Sequence, residues 1–143
     1  MLMVMRLLLG HKSIFVIAIV YTIALTLGSL MRPVHIVEHP ISNIDKLLHA
    51  GAYFGLTVLW ILWVFFKRSS KTDISPKILW KIVSGIVVVN VLYGVLMEVL
   101  QGTVTSYRTP DIWDIVANTT GSVLALMACL LYINKSKMLK SKF

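Results

Sequence analysis

The sequence predicts an all-α integral membrane protein built as a four-helix bundle, and two features of its 143 residues support that prediction. Hydrophobic residues make up 57% of the chain and charged residues 14%, with a mean hydropathy of +0.83, whereas soluble domains carry about 25% charged residues. The apolar residues also form four long runs, each close to the roughly 20 residues that a helix needs to cross a bilayer. Helices are expected because unpaired backbone groups are too costly in lipid.

The four apolar runs define the predicted membrane spans. They cover about residues 13–31, 47–66, 82–100 and 112–133, and we expect residues 1–143 to form a single membrane domain. The first run is longer than the about 7–15 apolar residues that are usual in a signal peptide, and no small-residue cleavage site follows it. We therefore interpret it as a retained span, with a cleaved signal peptide as the alternative.

Lysine and arginine are distributed unevenly between the segments that join the runs. Eleven lie in the N-terminal segment, the loop between the second and third runs, and the C-terminal tail, while three lie on the opposite side: Arg32, Lys46 and Arg108. Because basic loops remain in the cytoplasm, the sequence predicts a multi-pass protein of the cell membrane with both termini cytoplasmic. The net charge of +8 comes from short stretches between spans, so we expect the lipid bilayer and no nucleic acid as a partner.

Polar residues recur at helical spacing near the outward-facing ends of the last three runs. Residues three or four positions apart share one face of a helix. The set consists of Asp45, His49 and Tyr53 on the second run, Glu98 and Gln101 on the third, and Asp111, Asp114, Asn118 and Gly121 on the fourth. Polar groups at this depth must face protein or water, so the simplest packing turns the three faces toward one another. The result is a polar pocket, with Lys46 and Arg108 as its basic members. The expected partners of Glu98 are Arg108, Gln101 and Asn118.

This pocket has two interpretations. It is a binding or catalytic site, or it is a polar cluster that holds the bundle together through hydrogen bonds between helices. Asp45 and Asp111, taken alone, are also suited to helix starts. The run Thr109-Pro110-Asp111 predicts a cap residue, a proline at the first helical position and an acid in the first turn. Ionisable residues within a membrane favour function.

Three linked motifs give the chain a resemblance to a known family. They read Asp45-Lys46-x-x-His49-x-x-x-Tyr53, then Glu98-x-x-Gln101, then Arg108-x5-Asp114-x3-Asn118-x2-Gly121. In this order and at these helix ends, they resemble the signature of the VanZ-like membrane proteins over about residues 43–125. The chain has Ser106-Tyr107 where that family often has Pro-Gly, and Ala125 where it often has glycine.

The resemblance implies a role in the cell envelope, since the founding members are associated with low-level resistance to the glycopeptide antibiotic teicoplanin. It implies a site but no reaction, so the catalytic residues stay unknown. One hypothesis is that Arg108 and Lys46 contact an anionic or sugar-bearing lipid or glycan precursor of the envelope. Another is an enzyme acting on a lipid-linked or phosphorylated precursor, with His49 or Glu98 as general acid or base and Arg108 stabilising charge. The remaining hypothesis is a non-catalytic scaffold.

The sequence predicts no cofactor and no metal site. His35 to His39 matches the H-x-x-E-H pattern of some zinc peptidases, but Pro40 disfavours helical geometry at His39. His49, Glu98 and Asp114 include metal-ligating residue types, yet their positions show no spacing specific to a metal.

Overall fold

The computed structural model of the chain describes residues 10–31, 44–69, 75–106 and 109–140. Within these ranges it contains four α-helices and no strands. The helices are α1 (His11–Leu30), α2 (Ile44–Ser69), α3 (Pro76–Val104) and α4 (Ile112–Lys140). Each contains a stretch long and apolar enough to cross a membrane, which confirms the predicted all-α membrane fold.

Helix α2 lies at the centre of the packing, with α4 as its most extensive neighbour and α1 on another side. Gly121 of α4 rests directly on the backbone of α2. A Cβ atom at Gly121 would lie 2.8 Å from the carbonyl carbon of Ala50 and 3.0 Å from its Cα. Small residues let helices approach this closely in membranes, where association depends on van der Waals packing rather than on burial of apolar surface.

The bundle buries a set of polar side chains among its apolar core and exposes many large apolar side chains. Its buried polar residues are Thr57, Asn90, Glu98, Gln101, Asp114, Asn118 and Ser122. Some of them bond across helices: Asn90 of α3, for example, donates from Nδ2 to Thr57 Oγ1 of α2 at 2.9 Å. Exposed valines and leucines such as Val20, Val89 and Leu131 cover the outer faces. This distribution suits lipid as the surrounding solvent, because a polar group is costly there unless another protein group satisfies it.

Candidate functional site

Lys46, on the first turn of α2, joins α2 to the start of α4. Its ammonium donates hydrogen bonds to Asp111 Oδ2 and Asp114 Oδ1, and Nζ lies 3.7 Å from Asp45 Oδ2. The Asp114 side chain is 8% exposed, whereas that of Asp45 is 60% exposed. One ammonium is thus shared by three carboxylates at different depths, and charge-assisted contacts of this kind are stronger than neutral hydrogen bonds.

His49 lies one turn deeper on α2 and bridges to α4 through both ring nitrogens. Nδ1 is 3.2 Å from Asn118 Oδ1, and because an amide oxygen only accepts hydrogen bonds, Nδ1 is the donor. Nε2 then faces two carboxylates, at 3.5 Å from Asp114 Oδ2 and 3.8 Å from Asp45 Oδ1. Asp45 and Asp114 therefore each direct one oxygen toward Lys46 and the other toward His49.

Two buried side chains at the C-terminal end of α3 hold neighbouring elements. Glu98 Oε2 accepts a hydrogen bond from the backbone N–H of Asp111 at 3.2 Å, which fixes the start of α4 against α3. Gln101 Nε2 donates instead to the carbonyl oxygen of Ser29 near the end of α1, at 3.0 Å. The polar face of α3 therefore divides, with Glu98 toward α4 and Gln101 toward α1.

The start of α4 differs from the prediction made for Thr109, Pro110 and Asp111. Helix α4 begins at Ile112, and Asp111 Oδ1 accepts a hydrogen bond from the backbone N–H of Trp113 at 2.9 Å, which is how a capping residue acts. The prediction of Thr109 as the cap and Pro110 as the first helical residue is wrong. Pro110 packs against Gly102 of α3, where a Cβ would lie 2.6 Å from the proline Cδ. The hydrogen bond from Lys46, aided by the one from Trp113, lowers the pKa of Asp111 below its ordinary value.

A recess of about 260 Å³ opens beside this cluster, between α1 and α2. Its lining includes the polar residues Asp45, His49 and Tyr53 and the apolar residues Leu25, Leu48 and Ala52. Tyr53 is 2% exposed, and its hydroxyl has no hydrogen-bond partner among the residues that the structure describes. The hydroxyl oxygen itself is buried, so it is enclosed by the packed helices rather than open to the recess.

The structure brings most of the predicted pocket residues to one end of the bundle. Lys46 and His49 each contact Asp45 and Asp114, and His49 also contacts Asn118. Glu98 reaches this cluster through the backbone of Asp111, Tyr53 lines the recess, and Gln101 bonds to α1. Arg108 lies outside the described residues, as do His35 to His39.

The Asp111 carboxylate, which the sequence places on the polar face of the fourth run, is a direct partner of Lys46. One residue beside the cluster, Gly94, was not assigned to the pocket from the sequence. Gly94 allows α3 to approach closely: a Cβ there would lie 3.2 Å from Tyr53 Cε1 and 3.3 Å from Asn118 Cβ. No pattern in the sequence distinguishes Gly94 from an ordinary packing glycine.

The fold and the site together define a multi-pass membrane protein with a charged polar cluster between its helices. The family model of VanZ/LLP1 matches residues 15–133, so the chain belongs to that family, which confirms the resemblance. The chain is also 36% identical over 94 residues to the uncharacterized protein C11E3.10 of Schizosaccharomyces pombe, covering 65% of this chain and 51% of that protein. It thus spans about half the length of this curated relative. No solved structure matches the chain significantly.

Proposed function

We propose that this VanZ-like protein is a single membrane domain whose polar cluster lies at the outer surface of the cell membrane, with both termini in the cytoplasm. Contacts between Lys46 and Asp114, and between Gln101 and Ser29, place the N-terminal ends of α2 and α4 beside the C-terminal ends of α1 and α3. The opposite end of α2 carries Lys67, whose Nζ lies 4.7 Å from the centre of the Trp63 ring. Basic residues at a span end are typical of the cytoplasmic interface, and tryptophan is typical of either interface.

The function that the geometry supports best is binding of a lipid-linked molecule of the cell envelope in the recess beside α2. The observation that carries this proposal is the mixed lining of the recess, which combines the polar side chains of Asp45 and His49 with the apolar side chains of Leu25 and Leu48. A molecule with a polar head and a hydrocarbon chain presents both kinds of surface. Leu48 is 66% exposed on the outside of the bundle, so such a molecule would enter sideways from the lipid.

The charges of the cluster favour a sugar-bearing head group over an anion held by Lys46. That ammonium is already shared by three carboxylates, so it is not available as a separate contact for a phosphate. The carboxylate oxygens instead accept hydrogen bonds from hydroxyl or amino groups, which sugars provide. A protein that binds a wall precursor in this way would reduce the access of a glycopeptide antibiotic to its target. It would thereby contribute to teicoplanin resistance.

Expression in a teicoplanin-sensitive bacterial host tests this function. The wild-type chain is expected to raise the minimal inhibitory concentration of teicoplanin, and His49→Ala is expected to lose that effect at an equal level of membrane protein. His11→Ala is the matched control, because His11 is an exposed histidine at the start of α1. Full resistance with His49→Ala, or none with the wild type, would contradict the proposal.

A membrane enzyme acting on a lipid-linked or phosphorylated precursor is the second candidate, and one observation favours it. His49 Nε2 lies 3.5 Å from the buried carboxylate of Asp114 while Asn118 fixes the ring, an arrangement suited to general acid–base chemistry. Mass spectrometry of envelope lipids and wall fragments separates the two candidates. An enzyme yields a product of new mass that disappears with His49→Ala, whereas a binding protein leaves the set of products unchanged.

A further inference from the structure

We infer that Asp45, His49 and Asp114 form a binding site for a divalent transition-metal ion such as Zn²⁺. One ligating atom from each of the three residues lies within 4.8 Å of the other two. The sequence predicts no metal here because the three residues are spread over two spans without a metal-binding spacing. The packing of α2 on α4 brings them together. The inference concerns the recess on which the proposed function rests, but it is tested on the purified protein without any envelope molecule.

The orientation of His49 is that of a metal ligand. Nδ1 donates its hydrogen to Asn118 Oδ1, so in the neutral imidazole the lone pair is on Nε2, which points toward two carboxylate oxygens. That arrangement is favourable when a cation, either a proton on Nε2 or a metal ion, lies between the nitrogen and the oxygens. Histidines that bind metals usually donate their other ring N–H to a polar neighbour, which fixes the ring, and Asn118 provides that contact.

Lys46 leaves the inner carboxylate oxygens available. It engages Asp114 Oδ1 and lies near Asp45 Oδ2, while Asp114 Oδ2 and Asp45 Oδ1 face His49. With Asp111, the cluster has three carboxylates and one ammonium, which leaves a net charge of −2 when His49 is neutral. A divalent cation would balance that charge beside Asp114, the one of the three carboxylates that is buried.

A metal held by three protein ligands keeps a further coordination position for water or substrate. The recess of about 260 Å³ that Asp45 and His49 line has room for such a group.

The donor set indicates the class of metal. One imidazole nitrogen with two carboxylate oxygens suits Zn²⁺ or Mn²⁺ better than Mg²⁺, which prefers oxygen alone. Bonds of about 2.0–2.2 Å place tetrahedral ligand atoms roughly 3.3–3.6 Å apart, and the distances from Nε2 to the two carboxylates, 3.5 and 3.8 Å, are already close to this. The Asp45 side chain is 60% exposed, so a small change of its rotamer closes the remaining gap to Asp114.

Calorimetric titration with zinc chloride tests the site on the full chain, purified in detergent without a histidine tag and stripped with a chelator. The wild type is expected to bind one Zn²⁺ per chain, with Mg²⁺ binding far more weakly. His49→Gln is expected to abolish binding at the site, and Asp45→Asn to raise the Kd at least about tenfold. His11→Gln, which changes an exposed histidine of α1, is expected to bind as the wild type does.

Asp45→Asn keeps the test decisive if His49→Gln fails to fold, because the exposed Asp45 side chain contributes little to the core. Circular dichroism in the same detergent verifies the fold of each variant. Addition of Co²⁺ to the stripped protein is expected to give a visible absorption band that Asp45→Asn weakens. The inference is overturned if the wild type shows no saturable Zn²⁺ binding, or if folded Asp45→Asn binds Zn²⁺ as tightly as the wild type.

Discussion

Lys46 of α2 and Asp114 of α4, 68 positions apart in the chain, are joined by a direct hydrogen-bonded ion pair at one end of the bundle. The pair links the two helices that share the most extensive contact. It also determines which oxygen of Asp114 remains for His49. The same interaction therefore has a structural and a chemical consequence, and its loss should be detectable in both.

Replacement of Lys46 by methionine is expected to destabilise the bundle. The substitution keeps a long apolar stem but leaves the carboxylates of Asp111 and Asp114 without their shared ammonium. Loss of hydrogen bonds to charged groups costs about 1.5–3 kcal/mol, measured as the free energy of unfolding in detergent. Lys81→Met on α3 is the matched control, because Lys81 is exposed. Equal stability of the two variants would show that the ion pair contributes nothing.

Alanine at Gly121 is expected to separate α2 from α4. The added Cβ meets the backbone of Ala50 rather than the end of a flexible side chain, so the helices must shift, at a cost of about 1–3 kcal/mol. A lower melting temperature in detergent is the expected result. Gly51→Ala on α2 is the control, since a Cβ there meets no atom within 4 Å. If both variants have the same melting temperature, the close contact at Gly121 does not limit stability.

The apolar runs were sufficient to predict the helices because the thickness of a bilayer fixes how many apolar residues a span needs. The i, i+4 spacing of Asp45 and His49, and that of Asp114 and Asn118, also predicted which residues share a face. Periodicity specifies a face but not the helix that it meets. Gln101 thus bonds to Ser29 of α1 rather than to α4.

The start of α4 shows a second limit of sequence reasoning. Thr109 and Pro110 have the local chemistry of a helix start, yet Pro110 packs on Gly102 and Asp111 caps the helix. The cap therefore lies two residues after the one that the local sequence favours. Tertiary packing likewise determines which carboxylate oxygens face Lys46 and which face His49. The spacing of the residues in the sequence does not predict this.

The contribution of Asp111 to stability is expected to persist to mildly acidic pH. Its pKa is lowered in the folded state, chiefly by the hydrogen bond from Lys46, so the stabilisation is complete above the ordinary carboxyl pKa of about 3.9 and is lost as pH falls through the lower folded value. The difference in unfolding free energy between the wild type and Asp111→Asn, measured from pH 7 to pH 3, should stay constant to about pH 5. It should shrink only below about pH 4. A difference that already falls between pH 7 and pH 6 would assign the effect to another group.

Leucine at Gln101 is expected to weaken the fold while leaving the metal site intact. Gln101 is 1% exposed and donates to the Ser29 carbonyl, so its removal leaves a carbonyl unsatisfied near the end of α1, at a cost of about 1–2 kcal/mol. Thr103→Val is the matched control, because Thr103 is exposed and its hydroxyl bonds only to carbonyls of α3.

Two measurements on Gln101→Leu, the melting temperature and the Kd for Zn²⁺, distinguish a residue that stabilises the bundle from a residue that binds a ligand. The melting temperature in detergent should fall relative to Thr103→Val, while the Kd for Zn²⁺, measured well below that melting temperature, should match the wild-type value. Gln101 is joined to α1, whereas the proposed ligands lie on α2 and α4. A large loss of Zn²⁺ affinity in the folded variant would instead show that α1 and α3 set the geometry of the Asp45, His49 and Asp114 cluster.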